Sequence, residues 1–159
     1  MNSVPVFAQF DKPIMASDVL SLPQKQSKQC PLELLELSGS YFCNKSITND
    51  SYLNLCWEKG HIMRNVALQV IAIEVKEVKV GNKGTRSVMN VLLCSSSGNT
   101  IVQLSAWETF VDELKKKIQI GHVYLFQNLY ASSSNGYNKS TVEYNLTYKF
   151  GSNIREIIY

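Results

Sequence analysis

The sequence predicts a mainly β domain, a five-stranded Greek-key barrel with one helix between its third and fourth strands, preceded by an N-terminal extension. Three observations carry this. Between Val66 and Lys149, five stretches alternate apolar and polar residues with the period of two that sends successive side chains to opposite faces of a strand. One stretch, Glu108–Gln119, changes to helical spacing. The short segments between them are rich in Gly, Asn and Ser, the residues of tight turns.

Taken in order, residues 1–29 hold three prolines (Pro5, Pro13, Pro23) and no sustained period, which reads as an extended or partly disordered arm. Residues 30–65 read as an extension packing on the barrel. They include a short helix candidate, Pro31–Leu37, with proline in its first turn, and Trp57, expected to bury against the barrel domain. That domain occupies 66–159. In its first strand Val66, Leu68 and Val70 share a face, after which Ile71, Ile73 and Val75 take up the alternation on the other; the phase change predicts a bulge in one long, bent strand. Gly81–Gly84 is a turn, Ser87–Ser95 the second strand, Ser95–Asn99 another turn and Thr100–Trp107 the third strand. Phe110, Val111, Leu114 and Ile118 line one face of the helix. Its acidic start (Glu108, Asp112, Glu113) and basic end (Lys115, Lys116, Lys117) complement the helix dipole, so the lysine run reads as a solvated helix end. Gly121 stops the helix. His122–Ala131 and Thr141–Lys149 are the last two strands, with Val123, Leu125, Leu129, Val142, Tyr144, Leu146 and Tyr148 as expected core, joined by the polar loop Ser132–Ser140.

Composition narrows the function. A formal charge of +3 over 159 residues permits a polyanionic partner but falls short of the basic excess of a sequence-blind duplex binder. No leader pattern and no apolar run of membrane-spanning length is visible, so no membrane partner is expected. Cys30, Cys43, Cys56 and Cys94 read as reduced thiols of a cytosolic or nuclear protein; their spacing is not that of a zinc site, and no metal or other cofactor is expected. The sequons at Asn44, Asn49, Asn138 and Asn145 then read as ordinary polar positions. His61 and His122 accompany no nucleophile or metal-ligand pattern, and no Gly-rich phosphate loop is present, so an enzyme is not expected.

The third strand points to the ligand. Val102, Leu104 and Ala106 supply a small apolar face, which leaves Ile101, Gln103, Ser105 and Trp107 on the other. A large aromatic among polar neighbours on a solvent-facing strand is costly unless the next helix covers it or a ligand stacks on it. The order strand, strand, strand, helix, strand, strand is that of the OB-fold, whose second and third strands and adjoining loops commonly bind oligonucleotides.

The segments GNKGTRSVMNVLL, SSSGNTIVQLSAWETFVDEL, GHVYLFQNLYA and NGYNKSTVEYNLTYKF occur in that order, with aromatics at the strand end and in the last loop. In this the stretch from Val66 to Phe150 resembles the single-stranded-DNA-binding OB domains of the replication protein A large subunit and of related telomere-end and repair proteins. The resemblance implies two base-stacking aromatics, Trp107 and Tyr137, and a first loop, Lys79–Arg86, that grips the strand through Lys83 and Arg86, with Lys139 placed to reach a phosphate. Gln103, Ser105, Asn90 and Asn145 are then candidates for hydrogen bonds to base edges. It further implies a nuclear protein of DNA replication, repair, recombination or telomere maintenance, working with other protein subunits on single-stranded DNA, with RNA open as a ligand because stacking does not exclude a 2′-hydroxyl. The chain departs from the large subunit in showing one such domain, no zinc-ribbon cysteines and no counterpart to its first 65 residues. The alternative is an OB module whose groove takes a peptide, with the N-terminal arm and Pro31–Leu37 as docking elements.

Overall fold

The computed structural model describes residues 12–19, 42–43, 47–55, 57–82, 84–133 and 139–158; the helix candidate Pro31–Leu37, Lys83 and Tyr137 lie outside them. The described elements are β1 (Ile14–Met15), α1 (Ala16–Val19), β2 (Phe42–Cys43), β3 (Ile47–Thr48), α2 (Asp50–Leu53), β4 (Ile62–Lys79), β5 (Thr85–Cys94), β6 (Ile101–Trp107), α3 (Thr109–Lys117), β7 (Val123–Ser133), β8 (Tyr144–Tyr148) and β9 (Asn153–Ile158).

The chain is mainly β, with seven strands joined in the order β1-β9-β7-β4-β5-β6-β8 and a further β7–β8 pairing that closes β4 to β8 into a ring. Every contact around the ring is antiparallel except β6–β8, which is parallel. With α3 between β6 and β7, this is the Greek-key connectivity of an OB barrel. The sheet is larger than the five strands expected. After β8 the chain turns at residues 149–152 and pairs again with β7 as β9, whose outer edge then takes β1 in parallel.

The bulge in the first strand lies where the hydrophobic phase changes, with the β4–β5 register shifting between Val70 and Ala72. Before it, Val66, Leu68 and Val70 are fully buried; after it Ile73 is only partly covered, and Ile71 and Val75 are exposed. From Ala72 onward β4 pairs with β5 alone, because its contacts with β7 end at Gln69. One strand therefore serves first the barrel core and then a wall outside it.

Strand β7 departs from the expected pattern. Val123 and Leu125 do not share a core with Leu129; they pack in a smaller cluster with Ile14, Val19, Ala67 and Ile157, while Tyr124, Phe126 and Leu129 face the main core. The cause is Asn128, whose φ of 57° reverses the alternation. Asparagine is among the few non-glycine residues that tolerate this region. Its backbone carbonyl accepts from Ser152 Oγ at 2.7 Å and its side-chain amide donates to Gly151 O at 3.4 Å, so the kink in β7 is fastened to the turn separating β8 from β9. Residues 12–19, within the stretch read as an arm, cover the smaller cluster through Ile14 and Val19.

The main core also takes in Tyr52, Leu53 and Trp57, which precede the barrel. The Tyr144 hydroxyl donates to Leu53 O at 2.7 Å, and burial pushes that hydroxyl's pKa well above the usual tyrosine value. At the surface, the Asp50 carboxylate accepts hydrogen bonds from the hydroxyls of Ser95 and Ser97 in the β5–β6 turn. These bonds hold the Asp50 pKa below its ordinary value of 3.8. A carboxylate depressed by folding contributes stability that is present above its unfolded pKa and lost as pH falls through the folded one. Asp50→Asn is therefore expected to flatten the acid side of the stability profile below about pH 4, measured by urea titration at stepped pH. An unchanged acid limb would show that the two serines do not prefer the charged carboxylate.

Candidate nucleic-acid interface

Strands β5 and β6 build the floor of a groove. Their register sets Asn90 opposite Ser105, and Val88 opposite Trp107. As the alternation requires, Val102, Leu104 and Ala106 are fully buried in the core. Gln103, Ser105 and Trp107 open onto a groove of about 510 Å³, whose lining also includes Asn90, Asn145 and Thr147. One wall is the distal part of β4, through Lys76, Val78 and Lys79, and the other is the end of β7, through Ser132 and Ser133.

The structure brings together five of the nine expected residues, Trp107, Gln103, Ser105, Asn90 and Asn145, around this one groove. Trp107 is half-buried, so part of its ring stays accessible. Gln103 and Ser105 are more buried than a solvent-facing strand suggests, at 6% and 8% exposure, because the surface is concave. They form one polar network: Asn90 Oδ1 accepts from Ser105 Oγ at 2.8 Å and from Gln103 Nε2 at 3.4 Å, and Gln103 Oε1 accepts from the Lys139 backbone N–H at 3.1 Å. Asn145 Oδ1 is buried with no hydrogen-bond partner among the described residues.

Arg86 stands to the side. Its guanidinium carbon lies 5.0 Å from the centroid of the Trp107 ring, and its Nε donates to Glu108 Oε1 at 2.7 Å. It lines a second pocket of about 320 Å³ with Trp107, Glu108, Thr109, Phe110, Thr147, Tyr148 and Lys149. Trp107 and Thr147 belong to both cavities, which adjoin at these two residues. Lys139 reaches the groove through its backbone, while its ammonium lies 3.7 Å from Glu74, which also pairs with Lys76 at 3.5 Å. Tyr137 and Lys83 fall outside the described residues. The lysine run of α3 contributes nothing to either cavity lining, and Lys117 pairs with Glu113 along the helix.

Lys76 and Lys79 were not expected in the groove. For Lys76 the signal was present in the phase change of β4: beyond the bulge, Lys76 and Val78 occupy the face opposite Ile73 and Val75, while Lys79 enters as the last residue of the strand, where it turns into the Lys79–Arg86 loop. Ser132, Ser133 and Thr147 enter only through the closure of β7 on β8 and of β8 on β6, which no local pattern announces. Among the described residues there is no group of His, Cys, Asp and Glu able to hold a metal ion, and no helix is long and apolar enough to cross a membrane.

No family model and no curated protein matches this chain. Solved structures similar to it include DNA binding domain A of replication protein A from S. cerevisiae, at 18% identity and a TM-score of 0.48 over 60% of this chain and 82% of that one. Another is the replication factor A related protein from Methanobacterium thermoautotrophicum, at 16% identity and a TM-score of 0.45 over 69% of this chain and 89% of that one. A third is a replication protein A heterotrimer bound to ssDNA, at 20% identity and a TM-score of 0.47; the similarity covers 58% of this chain and only 21% of that one.

Proposed function

We propose that the β4–β8 barrel is a nucleic-acid-binding OB domain whose ligand is a single strand, DNA in the first place, held in the groove beside Trp107. The observation that carries this reading is the half-buried Trp107 ring forming one side of a groove with a polar floor. Base faces are exposed only where a strand is unpaired, and an indole stacks on any of them, contributing about 1–3 kcal/mol per base. Gln103, Asn90, Ser105 and Asn145 supply amide and hydroxyl groups of the kind that meet base edges. Lys79 places positive charge along one wall, where a sugar–phosphate backbone would run, and Lys76 beside it would do so on leaving Glu74. The reading is of a binding protein, with no catalytic residue assigned. It fits a nuclear role in replication, repair, recombination or telomere maintenance, alongside other protein subunits.

The test is fluorescence anisotropy of the full chain with labelled single-stranded DNA, duplex DNA and single-stranded RNA over a salt series. The expected result is preferential binding of the single strand, weakening as salt rises. Equal affinity for duplex and single strand, or no binding of any nucleic acid by folded protein, overturns the reading. In the latter case a peptide becomes the ligand to seek.

A further inference from the structure

Three of the cations beside the groove, Arg86, Lys76 and Lys139, are already paired in the free protein. Arg86 is bound by Glu108 at 2.7 Å, and Glu74 pairs with both Lys76 and Lys139. The first pair is the better placed. Arg86 is fixed on two sides, by the Glu108 carboxylate and by the Trp107 ring 5.0 Å away, and it lines the pocket of about 320 Å³ that adjoins the groove at that ring. Glu108 also departs from ordinary backbone geometry, with φ 55° and ψ −119° at the N-cap position of α3, and its side chain makes no capping hydrogen bond. A non-glycine residue in this region costs free energy. Its backbone N–H donates to Ser87 O at 3.0 Å, and its carboxylate is spent on Arg86 in place of the helix terminus.

Resting on the reading of the groove as a single-strand site, we propose that the pocket adjoining it at Trp107 is a second nucleotide subsite. Arg86 is its phosphate contact, and Glu108 holds that contact in the free protein. The arginine fork matches a carboxylate and a phosphate alike. A strand stacked on Trp107 and continuing past Thr147 enters this pocket, where its phosphodiester takes the place of the Glu108 carboxylate on Arg86. The exchange makes Glu108 a specificity-determining residue. A strand that stacks on Trp107 has binding energy to set against the ion pair, while an anion that merely meets the surface finds Arg86 neutralised. Both partners are about half exposed, at 43% and 48%, so the pair is weak enough to be exchanged.

The test compares wild type, Glu108→Gln, Arg86→Ala and the double variant for binding of a labelled single-stranded oligonucleotide by anisotropy across a salt series. Glu113→Gln, on the same helix but outside both cavities, controls for the loss of a negative charge. Glu108→Gln is expected to tighten binding by roughly 2- to 5-fold at low salt. The salt slope of Glu108→Gln should stay close to that of wild type, because Arg86 meets the same phosphate in both complexes, whereas Arg86→Ala should flatten it by about 0.7, as for one phosphate fewer neutralised on a single strand. In the Arg86→Ala background the same substitution is expected to bring no gain. A gain that persists without Arg86, or that Glu113→Gln reproduces, is general electrostatics and overturns the inference while leaving the groove reading intact. The inference falls in the same way if wild type binds and Glu108→Gln changes nothing. Absence of single-strand binding by wild type and Glu108→Gln alike removes both.

Discussion

Trp107→Ala is expected to weaken single-strand binding by roughly 5- to 150-fold, the range that corresponds to about 1–3 kcal/mol of stacking per base. The half-buried ring covers little of the barrel interior, because the core side of β6 belongs to Val102, Leu104 and Ala106. The melting temperature should therefore move little, and this separates the substitution from a folding defect. The ring also carries the Arg86 guanidinium 5.0 Å above it, so its removal takes away the stacking face and leaves Arg86 held by Glu108 alone. Trp107→Phe keeps a smaller stacking face and should restore much of the lost affinity. Anisotropy titrations of the three proteins, with thermal melts alongside, provide the comparison. If the alanine variant binds as wild type does, stacking on Trp107 is not the basis of recognition.

The largest stability effect is expected at the other tryptophan. Trp57 precedes the barrel, yet it lies in the main core at 5% exposure, edge-on to Tyr52 at 5.2 Å and tilted against Tyr144 at 6.5 Å. Its indole N–H donates to Tyr52 O at 3.4 Å. Truncating a buried aromatic removes its transfer free energy and leaves a cavity, so Trp57→Ala is expected to cost about 3–5 kcal/mol. Denaturant unfolding followed by circular dichroism measures this. The residue lines neither the groove nor the pocket beside Arg86, so single-strand affinity of the folded variant should be unchanged. A loss below about 1 kcal/mol would mean that the segment carrying Tyr52, Leu53 and Trp57 is dispensable to the barrel.

The two tryptophans also mark what could be read from the sequence. Local alternation was enough to send Val102, Leu104 and Ala106 inward and to leave Trp107 outside, and the phase change after Val70 located the bulge. Alternation failed in β7, where Asn128 in the left-handed region turns the strand over, so that Leu129 joins a different cluster from Val123 and Leu125. A backbone reversal at a residue other than glycine leaves little trace in composition. The groove was legible only in part for a related reason. Asn90, Gln103, Ser105 and Trp107 lie on two adjacent strands, whereas Thr147, Ser132 and Ser133 arrive through ring closure. The ion pairs that occupy Arg86 and Lys139 link residues distant in sequence, so a count of basic residues overstates the charge open to a ligand.

The long first strand of the barrel has a liability as well as a use. Among the described residues, β4 has a strand neighbour on one side only between Ala72 and Lys79. An open edge of this length is a template for a second chain, and charged side chains, lysine above all, are what blunt it. Here Glu74, Lys76, Glu77 and Lys79 supply that charge, and two of them, Lys76 and Lys79, also face the groove. The same ammonium groups that would meet a phosphate are thus of the kind that discourage one copy of a protein from zipping onto another. Stripping them away to probe binding would expose a sticky edge, and loss of ligand and self-association would arrive together.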